Sequence, residues 1–372
     1  MMLPNGWKKV KLEDVADIFD GTHQTPDYVS EGVPFVSVEN IEDIWNTDKF
    51  ITKEAFDAYP EKPQKNDILM TRITAGIIGK TAIVDRDDPL AYYVSLALIR
   101  CKKDVVFPNY MSQYIEGPYF KKELNKRIIH TAFPKKINLG DVGKCLVEFP
   151  SIEEQKKIAA TLSLWDSAIE KMEKLIEAKE CGLAILMNEM LKNSKTWNST
   201  CLSDIATIKK GKQLNAVDMI PDGVYYVMNG GITPSGNTDD WNTAENTISI
   251  SEGGNSCGFV AFNKEKFWAG GHCYTLIDLS ENVSVRFLFH YLKNMEKEIM
   301  AMRVGSGLPN IQKESISNIK VLYPSKKEQE GISSVLDDSL NEITLLKQQL
   351  DNYKKQKQGL MQKLLTGLWQ VK

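Results

Sequence analysis

Two short stretches of this 372-residue chain combine cationic side chains with amides and hydroxyls. Residues 121–136 read KKELNKRIIHTAFPKK, and residues 302–313 read MRVGSGLPNIQK. Lys and Arg bind phosphates, and Arg, Asn and Gln also form paired hydrogen bonds with the edges of bases. These stretches therefore predict non-covalent binding of DNA by loops. Composition alone leaves one alternative open, which is that each stretch is an ordinary solvated helix end.

Polar residues that follow predicted strands enlarge the set of candidate DNA contacts. In the first half of the chain the candidates are Glu39, Asn40, Thr71, Arg72, Thr74, Arg127, His130, Lys135 and Lys136. In the second half they are Asn229, Ser251, Glu252, Asn255, Arg303, Ser306 and Asn310. Two of these have a structural interpretation that is equally good. Arg72 could pair with a carboxylate inside the fold, and Asn229 could be a turn residue before two glycines.

The motifs of catalysis are incomplete or missing. The segment TAGIIGKT at residues 74–81 resembles a phosphate-binding loop, but it lacks the leading glycine and precedes a strand-like stretch instead of a helix. The chain has no F-x-G-x-G loop and no N-P-P-Y tetrapeptide, which an adenine methyltransferase would need. The four histidines are scattered without ligand spacing. We expect no catalysis, no metal site and no cofactor in this chain.

Bulk composition indicates an ordinary globular protein. The chain is 42% hydrophobic and 26% charged, with a net charge of −3, so a DNA-binding face would be local. No apolar run reaches the roughly 18 residues of a membrane span, and the first residues lack the apolar core of a signal peptide. Six cysteines without a C-x-x-C pair favour reduced thiols and hence a cytoplasmic location.

The chain repeats itself, which predicts how the candidate loops are positioned. Trp7–Gly21 recurs as Trp197–Gly211, and the strand-like VPFVSVENI at residues 33–41 has a counterpart in VYYVMNGGI at residues 224–232. We expect an α+β protein with two duplicated, mixed α/β domains at residues 1–149 and 195–323. Within the first repeat, the spacing of apolar residues predicts a helix over Leu12–Ile18.

A helical segment follows each predicted domain, at residues 150–194 and 324–367. Each begins with P-S-x-x-E-Q, in which Ser151 with Glu154 and Ser325 with Glu328 predict capping boxes. Heptad spacing predicts the apolar seam Leu162, Trp165, Ile169, Met172, Ile176, Leu183, Leu186, Met190, Leu336, Ile343, Leu346, Leu350, Tyr353, Leu360 and Leu364. We expect an antiparallel coiled coil about 60 Å long with pseudo-twofold symmetry. Two separate amphipathic helices are the alternative.

The doubled P-S-x-x-E-Q cap, the heptad helices and the repeated W-x-x-x-x-L-x-D opening resemble the DNA specificity subunit of type I restriction-modification systems. The resemblance covers essentially the whole chain. It implies two target recognition domains, each recognising one half of a bipartite, asymmetric site in double-stranded DNA. It also implies that the helices set the spacer and dock two modification subunits, to which restriction subunits are added. S-adenosylmethionine, ATP and Mg²⁺ would be bound only by those partners.

Two other functions remain as alternatives. The first is a coiled-coil scaffold whose end domains bind proteins and not DNA. The second is an enzyme whose domains bind nucleotides, which the incomplete phosphate loop disfavours. Salt dependence separates the first alternative from a DNA-binding protein, since counterion release weakens DNA binding steeply as salt is added.

Overall fold

The structure is a computed structural model, and it describes residues 3–192, 196–305, 307 and 309–371. It divides into two compact units. The first unit contains Met1–Met172 and Gln349–Lys372, and the second contains Glu173–Gln348. Each unit holds one copy of the repeated fold together with a part of each long helix.

The first copy contains the elements of a small mixed domain. Its strands are β1 Lys8–Lys11, β2 Ala16–Asp20, β3 Val33–Val36, β4 Phe50–Ile51, β5 Ile68–Thr71, β6 Ile73–Thr74, β7 Thr81–Ile83, β8 Ala91–Tyr92, β9 Leu96–Cys101, β10 Lys135–Lys136 and β11 Leu146–Phe149. Its helices are α1 Leu12–Val15, α2 Lys53–Asp57, α3 Pro108–Glu116, α4 Pro118–Asn125 and α5 Leu139–Gly143, with a 3₁₀ turn at Val38–Asn40.

Four sheets organise the first copy. The largest has the antiparallel order β2-β9-β5-β7, and a second has the order β4-β3-β8. The pair β1-β11 lies at the start of a long helix, and the pair β10-β6 carries one candidate loop. Helices α3 and α4 bury their aromatic residues Tyr110 and Phe120 in the same core as Met70 and Ile99 of the large sheet.

The second copy repeats this topology. After the long helix α6 Ile152–Met190, its strands are β12 Asn198–Cys201, β13 Thr207–Lys210, β14 Tyr225–Met228, β15 Gly236–Thr238, β16 Thr247–Ser251, β17 Val260–Asn263, β18 Trp268–Ala269, β19 Cys273–Ile277 and β20 Lys320–Tyr323. Its helices are α7 Leu202–Ile205, α8 Val285–Asn294, α9 Glu296–Ala301 and α10 Lys313–Ser317, followed by α11 Lys326–Leu364; a 3₁₀ turn lies at Ala216–Asp218.

The sheets of the second copy confirm the duplication. Their orders are β13-β19-β16-β17, β15-β14-β18 and β12-β20. Strands β3 and β14, which contain the matched sequences, are both the central strand of a three-stranded sheet with one parallel and one antiparallel neighbour. The predicted α+β class and the repeat are therefore confirmed.

The two long helices α6 and α11 pair in an antiparallel manner within each unit. In the first unit, Leu162 shares a core with Leu364, and further along α6 the ring of Trp165 lies 5.8 Å from that of Tyr353. In the second unit, Lys179 forms an ion pair of 2.7 Å with Glu342. Every residue of the predicted seam is buried or half-buried, whereas most of the positions between them are exposed.

The predicted helix over Leu12–Ile18 is wrong in its extent. Helix α1 ends at Val15, and the chain continues as strand β2, which pairs with β9. The apolar spacing in this stretch fits a continuous helix and also fits a short helix followed by a strand, because a single helical turn buries Leu12 and Val15 before the strand begins. Pairing with β9, which is far away in sequence, decides where the helix stops.

Candidate nucleic-acid interface

The cationic stretch of the first unit folds into a hairpin, residues 129–136, which we call the first hairpin. The amide of Ile129 donates to the carbonyl of Lys136 at 2.8 Å, and β10 pairs in turn with β6, the strand that follows β5. The side chains of His130, Phe133, Lys135 and Lys136 are exposed. Neither lysine forms an ion pair with any residue in the described ranges.

The second unit builds the same element from different residues. The second hairpin, residues 304–310, closes through two hydrogen bonds of 2.8 and 3.0 Å between the backbones of Val304 and Asn310. Asn310 also bridges to Gly253, which follows β16 as β6 follows β5. Arg303 enters the hairpin with an exposed side chain and has no ion pair within the part of the chain that the structure describes. The candidate Ser306 lies outside the described residues.

One residue holds each hairpin against the large sheet of its unit. Arg72 follows β5, and its carbonyl accepts from the amide of Ile137 at 3.0 Å. Its guanidinium donates to the Asp20 carboxylate at 2.7 Å and to the Ile137 carbonyl at 3.2 Å. Asp20 is the last residue of β2. The side chain of Arg72 therefore ties the edge strand of the sheet to the exit of the hairpin.

The second unit uses the same geometry with the charges exchanged. Glu252 follows β16, and its carbonyl accepts from the amide of Ile311 at 2.8 Å. Its carboxylate pairs at 2.6 Å with Lys210, the last residue of β13, and accepts from the hydroxyl of Tyr274 at 2.9 Å. Burial would raise the pKa of Glu252, but hydrogen bonds from Lys210 and Tyr274 outweigh it and lower the pKa below its ordinary value.

These positions correct the prediction for four of the candidate residues. Thr71, Arg72, Ser251 and Glu252 are buried and are engaged inside their own unit. The hydroxyl of Thr71 donates to a loop carbonyl at 2.7 Å, and that of Ser251 donates to the carbonyl of Gly230 at 2.5 Å. Their side chains shape the loops beneath the hairpins, because buried polar groups need internal partners.

Three further candidates are committed to local structure. Arg127 donates to the carboxylate and the backbone carbonyl of Glu123, both at 2.9 Å. The amide of Asn40 donates to a carbonyl six residues later at 3.0 Å and so closes a turn. The side chain of Asn229 accepts from the amide of His272 at 3.4 Å, which ties two loops that are distant in sequence. We place these three in the fold and not on a free binding face.

Two candidates each already form one contact within the first unit. Glu39 is exposed, but its carboxylate pairs with a lysine at 3.2 Å. The hydroxyl of Thr74, which lies on β6, accepts from the amide of Gly76 at 2.9 Å. The candidates that remain exposed on or beside the two hairpins are His130, Lys135, Lys136, Asn255, Arg303 and Asn310.

Sequence reasoning missed a cleft of mixed polar and apolar lining in the first unit. It has a volume of about 400 Å³, and its lining includes Asp20, His23, Arg72, Lys136 and Asn138. His23 lies 2.8 Å from the second oxygen of Asp20, so the cleft joins the loop after β2 to the hairpin. An alignment of the two repeats could have drawn attention to His23, because this residue lies two positions after Gly21, the last residue of the repeated opening. No comparable signal marks Asn138.

The phosphate-binding loop considered for the enzymatic alternative does not form. The last residue of the segment at residues 74–81 begins strand β7, and the amide of Gly79 donates to the Thr71 carbonyl at 3.0 Å. A helix amino terminus, which such a loop requires, is therefore missing at this point. Among the described residues there is no cluster of three or more metal-ligating side chains, and no helix there has the length and apolar character to cross a membrane.

Comparison with known proteins places this geometry in one family. The model of the type I restriction modification DNA specificity domain matches residues 4–180 and again 194–354. A putative type I specificity subunit from Mycoplasma genitalium is 33% identical over 162 residues, which are 42% of each chain. One from Mycoplasma pneumoniae is 33% identical over 172 residues, or 44% of this chain and 46% of that one. Each match thus spans less than half of the relative.

Longer similarities extend over the whole chain at lower identity. A putative type I restriction enzyme specificity subunit from Methanocaldococcus jannaschii is 23% identical over 100% of this chain and 95% of its own. The crystal structure of a type I S subunit from M. genitalium shares the fold, with a TM-score of 0.69 and 19% identity over 98% of both chains. The duplicated match covers most of the sequence, and the chain belongs to the type I restriction modification DNA specificity domain family.

Proposed function

We propose that this chain is the DNA sequence-recognition subunit of a type I restriction-modification complex. Each unit would recognise one half of a bipartite site in double-stranded DNA. The observation that carries the proposal is the pair of hairpins, which occupy the same place in both copies and present exposed cationic side chains, with the exposed amide of Asn310 on the second. A hairpin is a two-stranded ribbon, and the major groove of DNA is wide enough to admit one.

The two hairpins support an asymmetric target. The first presents His130, Lys135 and Lys136, whereas the second presents Arg303 and Asn310. Lysines bind phosphates without distinguishing bases, but Arg and Asn can form paired hydrogen bonds with guanine and adenine. Two sets with such different chemistry would not recognise the same half-site.

In this proposal the long helices α6 and α11 would hold the subunits of the complex together and would take no part in catalysis. Their surfaces expose apolar side chains that a docked partner would cover, among them Leu164, Ile185 and Leu345. We propose that α6 and α11 dock two modification subunits and set the spacer between the half-sites. Methyl transfer with S-adenosylmethionine, and cleavage with ATP and Mg²⁺ by restriction subunits, would then be supplied by the partners, with this chain non-catalytic.

Co-expression with its modification subunit, followed by mapping of methylated adenines, tests the proposal. We expect one bipartite motif with two different halves and a constant gap. Replacing Lys135, Lys136 and Arg303 by Ala should abolish the methylation, whereas replacing the exposed Lys65 and Lys103, at the end of the large sheet away from the first hairpin, should not. A missing motif, or an equal effect of both sets of substitutions, would refute the proposal.

Salt titration tests the scaffold alternative on the same material. A DNA-recognition subunit loses affinity for its mapped site by orders of magnitude between low and moderate salt, because condensed counterions are released on binding. A scaffold whose end domains bind proteins would show no binding to the mapped duplex at any salt concentration.

A further inference from the structure

The tip of the first hairpin exposes an aromatic side chain. Phe133 is 90% exposed, a fraction shared among the described large apolar residues only by Val217. Burying a phenyl ring stabilises a protein, so a ring left almost fully in water calls for an explanation. The hairpin that carries the ring is held to the fold by the pairing of Lys135 and Lys136 with β6.

The surroundings of Phe133 favour a nucleic acid over a protein as its partner. His130, Lys135 and Lys136 lie within three residues of the ring and are exposed, and the hairpin sequence IHTAFPKK contains no carboxylate. A positively charged hairpin complements the phosphates on either side of a DNA groove. An apolar tip between cationic flanks would then face the base edges at the floor of that groove.

The major groove offers one prominent apolar group on the base edges, the C5-methyl of thymine. We infer that Phe133 packs against a thymine methyl in the half-site recognised by the first unit. This inference rests on the proposed DNA recognition and names the residue that would provide an apolar contact within it. It assigns to Phe133 a specificity-determining role that charge and hydrogen bonding alone would not supply.

The second copy has an apolar residue at the matching point of its sequence. Leu308 precedes Pro309 as Phe133 precedes Pro134. Leu308 lies outside the described residues, so the inference is confined to the first unit. The sequence match nevertheless shows that both copies place a large apolar side chain before the hairpin proline.

The test removes the methyl group from the DNA and the ring from the protein. The full chain, assembled with its modification subunit, is titrated with the duplex that methylation mapping identifies. Each thymine of both half-sites is replaced in turn by uracil, which lacks only the methyl. We expect one uracil in the first half-site to weaken wild-type binding about fourfold, the effect of losing one buried methyl.

The Phe133→Ala variant should bind the thymine duplex more weakly than wild type and should not respond to that uracil. Val105→Ala is the matched control, because Val105 is a partly exposed apolar residue of the same unit that lies beside Gln155 at the start of α6. This control should behave as wild type does. Thermal unfolding of both variants should match wild type, since neither side chain is buried.

Several outcomes would overturn the inference while leaving DNA recognition intact. These are a mapped first half-site without thymine, a wild type that ignores every uracil, and a Phe133→Ala variant that remains sensitive to the uracil. A rise in 2-aminopurine fluorescence at a half-site step, abolished by Phe133→Ala, would instead show insertion between bases and also reject the methyl contact. If wild type binds no duplex specifically, it is the proposed function that fails.

Discussion

Arg72 and Glu252 occupy equivalent places after β5 and β16 and carry opposite charges. Each is buried, each accepts a backbone hydrogen bond from the residue that leaves its hairpin, and each pairs with the last residue of an edge strand, β2 or β13, two strands away in the sheet. The duplicated fold therefore requires an ion pair at this place but not a particular polarity. Because one partner of a buried pair cannot change sign alone, both partners differ between the copies.

Removal of Arg72 should destabilise the first unit. We expect Arg72→Ala to lower the free energy of unfolding by about 2–4 kcal/mol, because it removes the ion pair with the partly buried carboxylate of Asp20 and the hydrogen bond to the Ile137 carbonyl. The double variant D20K/R72E, which copies the polarity of the second unit, should recover about half of that loss. Denaturant unfolding measures the change, and hydrogen exchange of peptides from residues 3–149 locates it. A double variant no more stable than the single one would contradict the pairing.

Replacement of Arg303 should affect base choice in one half-site. Arg303 is exposed at the entry to the second hairpin, so we expect Arg303→Ala to fold normally and to relax the half-site of the second unit only. Loss of one paired contact with a base costs about tenfold or more in discrimination. Arg303→Lys keeps the charge and should restore affinity but not base choice. Methylation mapping gives the readout, and equal relaxation of both half-sites would show that Arg303 does not contact bases.

At the scale of residues, the sequence predicts which loops are exposed better than it predicts which side chains in or near them are free to bind DNA. Charge and amide content identified the two stretches that form the hairpins, whereas position after a predicted strand selected Thr71 and Ser251, which are buried. Whether a polar residue is free depends on which strand pairs beside it, and that pairing joins residues far apart in sequence. The alternative interpretation of Arg72, an internal ion pair, is the one that the structure shows.

At the scale of elements, a buried glutamine fastens each long helix to its domain. Gln155 donates to the carbonyls of Val105 and Pro150 at 3.1 and 2.9 Å and accepts from the amide of Phe107 at 2.8 Å. Gln329 makes the matching three hydrogen bonds in the second unit. Of the two predicted capping boxes, the structure shows the serine half: the amides of Glu154 and Glu328 donate to the hydroxyls of Ser151 and Ser325, both at 3.4 Å. The glutamine of the repeated E-Q pair therefore forms the junction between each long helix and its domain.

Replacement of this glutamine should loosen the junction. We expect Gln155→Leu to lower the free energy of unfolding by about 3 kcal/mol, because it leaves one amide and two carbonyls buried without partners. Lys156→Ala, a change at the next residue but on the exposed face, should have an effect below about 0.5 kcal/mol. Denaturant unfolding compares the two. A tolerated Gln155→Leu would show that water replaces the lost hydrogen bonds.

Element boundaries were harder to predict than element order. The heptad spacing predicted helices at residues 150–194 and 324–367, and α6 and α11 fall inside those ranges because 39 regular residues carry a strong periodic signal. The short stretch after Leu12 had no such length, and its switch from helix to strand follows from pairing with β9. Apolar periodicity predicts a helix more reliably when it extends over more helical turns.

At the scale of the whole molecule, the paired helices lead to a prediction about spacing. If they set the distance between half-sites, removal of one heptad from each should shorten the spacer by about three base pairs, since seven helical residues span about 10 Å. Residues 170–176 and 346–352 are suitable, because they face each other in the register given by the Lys179–Glu342 ion pair. Methylation mapping should show both half-sites unchanged around a shorter gap. An unchanged gap would refute the helices as the ruler.

The first unit draws on both ends of the polypeptide. Its core includes Met361, Leu364 and Leu365, which a ribosome adds only after the entire second unit has been made. Folding of the first unit can therefore be completed only after the second unit has been translated. A chain cut short before Met361 would keep every residue of the second unit and lack part of the core of the first. We expect such a fragment to expose the remaining apolar core of the first unit and to aggregate.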